Sequence, residues 1–487
     1  MFPSKFPIRS VSYRGFVRRQ STIATPSPGR PFLRITGVGV ASSVLGWFAY
    51  EFSHSQNEAG VAAKHTISTA LSGAPNLNPA TGYPFTALPP LSPAQVDERL
   101  NEDAWSVSVS AVNGLSSYEG SQVASNGPCE DSYIHGKFPS PLQSGRDWMT
   151  WGVFDGHLGS QTSQALTQHL LPYVHTFVKN ANQPTGFDDV AIHKAIKDAF
   201  VALDNAFLSG GDRGTVNSDS LTFAQKVQRL ATGSNGSCAI LSLYDPASRK
   251  LHVACTGDSR AVLGRQTAEG KWEAVPLSID QSGSNEAEGE RVRAEHPGEE
   301  GLVKNGRVLG LACARAFGDG HWKWPLELQK YLRSRFVTDT LRAHDPEVYK
   351  TPPYITAEPE VTTTVLPAGK RAFMIIASDG LWDAMTSEQA VDMVARWIDW
   401  KAKRKPREPQ PVKGETPGMF NWERYYSTGY KVDEESIAVQ DENAAVHLTR
   451  NAIGGANQDL VGALLSFRPP YSRYVRDDIT VQVVFFE

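Results

Sequence analysis

Cysteine is scarce in this chain and never paired in sequence. Cys129, Cys238, Cys255 and Cys313 are the only four in 487 residues. None forms a C-x-x-C, and no Cys/His group has zinc-site spacing. That argues against a disulfide-stapled fold and for a reducing compartment. Strong net charge is also missing. The formal charge is −4, so bulk electrostatics give no case for a nucleic-acid binder. No internal repeat is evident. Acid residues are missing from the first fifty positions. None precedes Glu51, whereas Lys5, Arg9, Arg14, Arg18, Arg19, Arg30 and Arg34 all fall there, among Ser, Thr and apolar residues. Residues 1–34 therefore have the composition of a mitochondrial presequence, drawn inward by the membrane potential. Residues 35–50, ITGVGVASSVLGWFAY, carry no charge. Their length falls slightly short of the ~20 residues of a spanning helix. They read either as a single membrane anchor, with Trp47 and Tyr50 at the interface, or as part of a longer presequence that is cleaved. The stretch begins too late for a secretory signal peptide.

Residues 51–90 are rich in Ser, Ala, Asn, Gly and Pro and read as a linker. Ordered structure is expected from Leu91. SPAQVDERL is a helix start, with Ser92 as N-cap and Pro93 in the first turn. DWMTWGVF (147–154) predicts a buried strand. Leu166, Leu170, Tyr173, Val174 and Phe177 recur at helical spacing, as do Ala195, Ile196, Phe200, Leu203 and Phe207. Strand-like runs return in SCAILSLYD, KLHVACTGD, RAVLGR, FMIIASD and ITVQVVFF. Helical patterns cluster between groups of strands, which indicates an α+β fold with mainly antiparallel sheets. Residues 401–418, Lys- and Pro-rich, are expected to be a solvated loop.

Several strand-like runs end or begin on acids. FDGH holds Asp155, TGDSR holds Asp258, ASDGLWD holds Asp379 and Asp383, and RDDIT holds Asp477 and Asp478. CED supplies Glu130 and Asp131 from a polar segment. Any one such acid is commonly a turn or cap residue. Gathered, they repel one another and lose hydration, so they need cations. All-oxygen ligation favours Mg²⁺ or Mn²⁺ over zinc, and paired ions suit phosphoryl hydrolysis.

The motifs ED, FDGHxG, GDSR, ARAFGD, SDGLWD and RDDIT resemble the metal-dependent Ser/Thr protein phosphatases of type 2C, in that family's order, across about residues 92–487. LSPAQVDERL, NGPCEDS, LSIDQSGSNEAEGERVRAEHP, GRVLGLACARAFGDGHWKWP and YVRDDITVQVVFF resemble its mitochondrial pyruvate dehydrogenase phosphatase subgroup. The resemblance implies a central sandwich of two antiparallel sheets flanked by helices, with a metal cleft at one end. It assigns residues 91–487 to the catalytic domain. It implies two Mg²⁺ or Mn²⁺ ions, with a weaker third. Asp155 would bridge both ions. Asp379 and Asp477 would bind the first. The Gly156 carbonyl would bind the second, and Glu130 would reach it through water. Asp131 would hydrogen-bond water held there. Asp258 and Asp383, with Asp379, match the third site. His157 would be the general acid. The implied activity is hydrolysis of phosphoserine or phosphothreonine by metal-activated water. The implied partner is the phosphorylated E1α subunit of pyruvate dehydrogenase, reached from the matrix or the intermembrane-space side of the inner membrane.

One position departs from the family. Arg usually stands four residues before the Glu of ED and holds the substrate phosphate; this chain has Asn126. A neutral amide makes no charge-assisted bidentate pair, and the subgroup shares this Asn. Rival classes are weaker. A cysteine phosphatase needs five residues between Cys and Arg, and Cys255 and Arg260 are separated by four. A pseudophosphatase binding module would have lost ligands that are present here. A metal nuclease would not account for the ordered motifs. Another mitochondrial phosphoprotein is the main alternative substrate.

Overall fold

Every residue from Trp148 to Phe154 is buried, so this strand must be covered on both faces. Met149, Trp151 and Val153 pack with Ile240, Val253, Met374, Ile376 and Val484. Trp148 and Phe154 pack with Leu166, Leu170, Ile196 and Phe200. One face therefore meets a second sheet and the other meets helices. The computed structural model describes residues 90–110, 112–181, 188–336, 344–403 and 429–487. The presequence, anchor and linker expected within residues 1–89 lie outside the described residues.

The strands are β1 (Asp103–Ser108), β2 (Leu115–Val123), β3 (Ser132–Pro139), β4 (Asp147–Phe154), β5 (Gly156–His157), β6 (Gly236–Ser237), β7 (Ala239–Asp245) and β8 (Lys250–Thr256). They continue with β9 (Arg260–Gln266), β10 (Trp272–Pro276), β11 (Val303–Lys304), β12 (Arg307–Val308), β13 (Phe317–Gly318), β14 (Glu360–Val365), β15 (Ala372–Ala377) and β16 (Ile479–Phe486). One large sheet runs β1-β2-β16-β15-β9-β10 and the other β14-β8-β7-β4-β3. A small sheet, β13-β6-β5, and the hairpin β11-β12 complete the set. All these pairings are antiparallel, for example Val153↔Ile240 and Ala377↔Val481.

Helices Gln161–Asn180 and Asp189–Leu208 cover the five-stranded sheet. Their apolar residues recur three and four apart, which makes one stripe on each helix. Helices Ser387–Lys403 and Ala444–Ile453 cover the six-stranded sheet through Phe373, Ile375, Val481 and Val483. The fold is the expected αββα sandwich. Pro93–Asn101 begins at Ser92, whose side chain and that of Gln95 cap each other's backbone N–H groups.

One expectation is corrected. Lys401–Lys403 are the last turn of helix Ser387–Lys403, not loop. The buried stripe Ala390, Val391, Met393, Val394 and Trp397 carries the helix forward, and Lys401 Nζ reaches Glu442. Residues 404–418 lie outside the described residues.

Candidate active site

Antiparallel pairing brings the ends of strands far apart in sequence to one end of the sandwich. Asp155 follows β4, Asp258 follows β8, Asp379 lies just beyond β15, Asp131 precedes β3, and Asp477 and Asp478 precede β16. Register places these together, because Ser132 pairs with Phe154 and the N–H of Ser378 donates to the Thr480 carbonyl.

Carboxylate oxygens of Asp155, Asp258 and Asp379 all lie within 4.8 Å of one another. Burial, then the charges of Asp379, Asp131, Asp477 and Asp258, push the Asp155 carboxyl well up. Burial and neighbouring acids do the same to Asp379. Burial is also the leading cause of the upward shift at Asp258. Three crowded, partly dehydrated carboxylates are stable as anions only beside positive charge. The donors are all oxygen, which fits Mg²⁺ or Mn²⁺.

The other predicted acids surround this trio. Asp131 is buried, and its Oδ2 accepts from Ser378 Oγ and Thr480 Oγ1, each at 2.7 Å. Burial and the charge of Asp478 raise it to about 8. Asp477 pairs with Arg473. Glu130 is shifted up, first by burial and then by Asp478. Asp383 stands at the exposed rim, beyond the turn that begins at Asp379. Gly156 lies in β5 opposite Ser237. A Cβ there would sit 2.4 Å from the Glu130 carbonyl, so only glycine permits this approach.

Asn126 Nδ2 donates to Glu130 Oε2 at 2.7 Å and to Asp478 Oδ2 at 3.2 Å. Both amide hydrogens are thus engaged by carboxylates of the protein. Asp478 also accepts from the Glu130 N–H at 2.9 Å and from Ser125 Oγ at 3.0 Å. Its role is to tie the loop of residues 125–130 to the start of β16.

His157 Nε2 lies 2.7 Å from Asp319 Oδ2. Burial lowers the imidazole, but the charge and hydrogen bond of Asp319 outweigh it and raise His157 to about 10. The ring is therefore held as imidazolium, a proton donor. Asp319 is fully buried and has φ +51°, a left-handed conformation that an aspartate tolerates better than most residues. Gly236 makes the pair feasible. A Cβ there would lie 2.0 Å from His157 Nε2 and 2.4 Å from Asp319 Oδ1.

Sequence reasoning missed Asp319, Gly236, Ser378, Thr480 and Arg473 as parts of the site. Asp319 ends the ARAFGD motif, so it had a signal. Ser378 opens SDGLWD and Thr480 closes RDDIT, so they too lay in marked motifs, whereas Gly236 and Arg473 had no such signal.

The sandwich and its buried carboxylate cleft are the architecture of a hydrolase site able to hold divalent cations. Residues 123–410 match the Protein phosphatase 2C family, and the chain belongs to it; it is a protein serine/threonine phosphatase. Its relatives include Protein phosphatase 2C homolog C10F6.17c of Schizosaccharomyces pombe, 39% identical over 82% of this chain and 86% of that protein. Mitochondrial pyruvate dehydrogenase (acetyl-transferring) phosphatase 1 of Saccharomyces cerevisiae is 33% identical over 81% of this chain and 73% of its own. The human protein of that name is 32% identical over 81% of this chain and 83% of its own.

Proposed function

We propose that this phosphatase acts on the E1α subunit of pyruvate dehydrogenase in the mitochondrion, releasing phosphate from serine or threonine and so reactivating the complex. Two relatives named for that enzyme, each matched over 81% of the chain, carry the reading. The basic, acid-free N-terminus supports the location, with residues 1–34 as presequence and 35–50 as anchor or presequence remainder. Residues 51–90 are then the linker and 91–487 the catalytic unit. The S. pombe relative bears no substrate in its name, which keeps another mitochondrial phosphoprotein as the second reading.

Asp155 would bridge two Mg²⁺ or Mn²⁺ ions, Asp379 and Asp477 would hold the first, and the Gly156 carbonyl and Glu130 would serve the second. Asp258 and Asp383, with Asp379, would hold a weaker third. Bound there, such ions supply the Lewis acidity that activates water and offsets phosphate charge. The chain's own residues do the rest. Asp131, fixed by Ser378 and Thr480, orients water on the attacking side. His157, kept protonated by Asp319, gives its proton to the departing serine or threonine oxygen. Asn126 acts on the substrate side by holding Glu130 and Asp478 in place.

The test is phosphate release from phosphorylated pyruvate dehydrogenase by the full chain, with Mg²⁺, Mn²⁺ or EDTA, beside an unrelated phosphoserine protein. Release that needs metal and prefers pyruvate dehydrogenase supports the proposal. Release from the unrelated protein alone removes the substrate assignment. Asp155→Asn is expected to abolish turnover with the fold retained by circular dichroism; turnover like wild type would overturn the site.

A further inference from the structure

Beside the carboxylates lies a second group of potential ligands with different chemistry. His157, Cys238 and Cys313 each offer an atom, and these three atoms all lie within 4.8 Å of one another. Both thiols are 3% exposed. The His157 side chain is 24% exposed. Topology rather than sequence proximity builds it. β5 carries His157 and pairs with β6, which runs into Cys238, and a bridge between Ser282 and Cys313 brings in the third member. Cys238 is firmly placed, since its N–H donates to the Asp155 carbonyl at 2.8 Å and its Sγ to Asp258 Oδ1 at 3.1 Å.

We propose that His157, Cys238 and Cys313 form a binding site for a thiophilic divalent cation, Zn²⁺ above all, adjoining the all-oxygen ligands of the phosphatase but different from them in donor chemistry. Two thiolates and one imidazole are a zinc ligand set, with three protein ligands and an open fourth position. Asp258 lies next to Cys238, 3.1 Å from its Sγ. Asp319 on one nitrogen of His157 fixes the ring, as second-shell carboxylates do for metal-bound histidines. Two thiolates and a neutral imidazole balance the charge of the ion. Binding displaces two thiol protons and the imidazolium proton to solvent. The consequence for activity rests on the role given to His157 above: an ion on that ring removes the proton donor, so zinc inhibits.

The experiment uses the metal-free full chain titrated with Co²⁺, a spectroscopic stand-in for Zn²⁺. Wild type is expected to show thiolate-to-cobalt charge-transfer absorption that Zn²⁺ abolishes, and Cys313→Ser is expected to lack it. Cys313→Ala and Cys238→Ala, checked by circular dichroism, guard against a variant that fails to fold. In the presence of Mg²⁺, zinc inhibition of phosphate release should require about tenfold or more zinc in Cys313→Ser. Absence of the band in folded wild type overturns the site. Equal zinc sensitivity in wild type and Cys313→Ser overturns inhibition through this site, because the zinc then acts at the carboxylates. A band without inhibition supports the site and overturns the role of His157 as proton donor.

Discussion

At the residue scale, the proposed proton donor, His157, depends on a contact that only glycine permits. Gly236→Ala places a methyl group where His157 and Asp319 meet. Turnover of a phosphoserine peptide is expected to fall about 100-fold or more, the range of a lost general acid. An aryl phosphate, whose leaving group needs little protonation, should be far less affected. Steady-state kcat on both substrates checks this, and equal losses would show general disruption instead. The acids Asp155, Asp258, Asp379 and Asp477 were legible in the sequence because each interrupts or flanks an apolar run. Asp319 was marked only as the end of ARAFGD, and its pairing with His157 was hidden because the two lie 162 residues apart. The loop fixed by Asp478 was hidden for the same reason, since the contacts it makes are 348 to 353 residues distant. Burial and hydrogen bonding depend on what lies opposite, and a linear pattern records only what lies beside.

At the element scale, strand β4 shows where pattern reading works. Its unbroken apolar run announces burial on both faces, and both faces are buried. Trp151 is the bulkiest fully buried side chain between the two sheets, edge-on to Tyr118 at 5.6 Å and to Phe486 at 6.3 Å. Trp151→Ala leaves a cavity between the sheets and should cost about 3–5 kcal/mol. The urea midpoint measures it; a loss under about 1 kcal/mol, within the range of volume-conserving swaps, would mean the interior closes around the gap. The helix Ser387–Lys403 shows where pattern reading fails. Its last turn looks like loop in a Lys- and Pro-rich stretch, yet a buried stripe and an ion pair carry the helix through it.

At the scale of the whole molecule, buried histidine sets a limit in acid. His447 is fully buried between helices, its Nε2 3.1 Å from the Met393 carbonyl. Burial depresses it to about 4. In the unfolded chain it takes a proton near pH 6.5, while the folded chain refuses it until about 4. The stability that His447 contributes is therefore full above pH 6.5 and is lost as pH falls, by about 2 kcal/mol at pH 5. Urea midpoints at pH 7 and pH 5 should show this loss, and His447→Gln should reduce it. A loss unchanged in the variant would assign the acid sensitivity elsewhere.

The candidate site is divided between the two sheets. Asp131 and Asp155 hang from the five-stranded layer and Asp379 and Asp477 from the six-stranded one, with Ser378 and Thr480 reaching across to Asp131. The interior filling is thus a spacer, and its thickness sets the gap between opposing carboxylates. Protein interiors are too densely packed to absorb a change of that kind silently. A substitution deep in the sandwich, far from any substrate, would mistune catalysis while the chain still melts as one cooperative body.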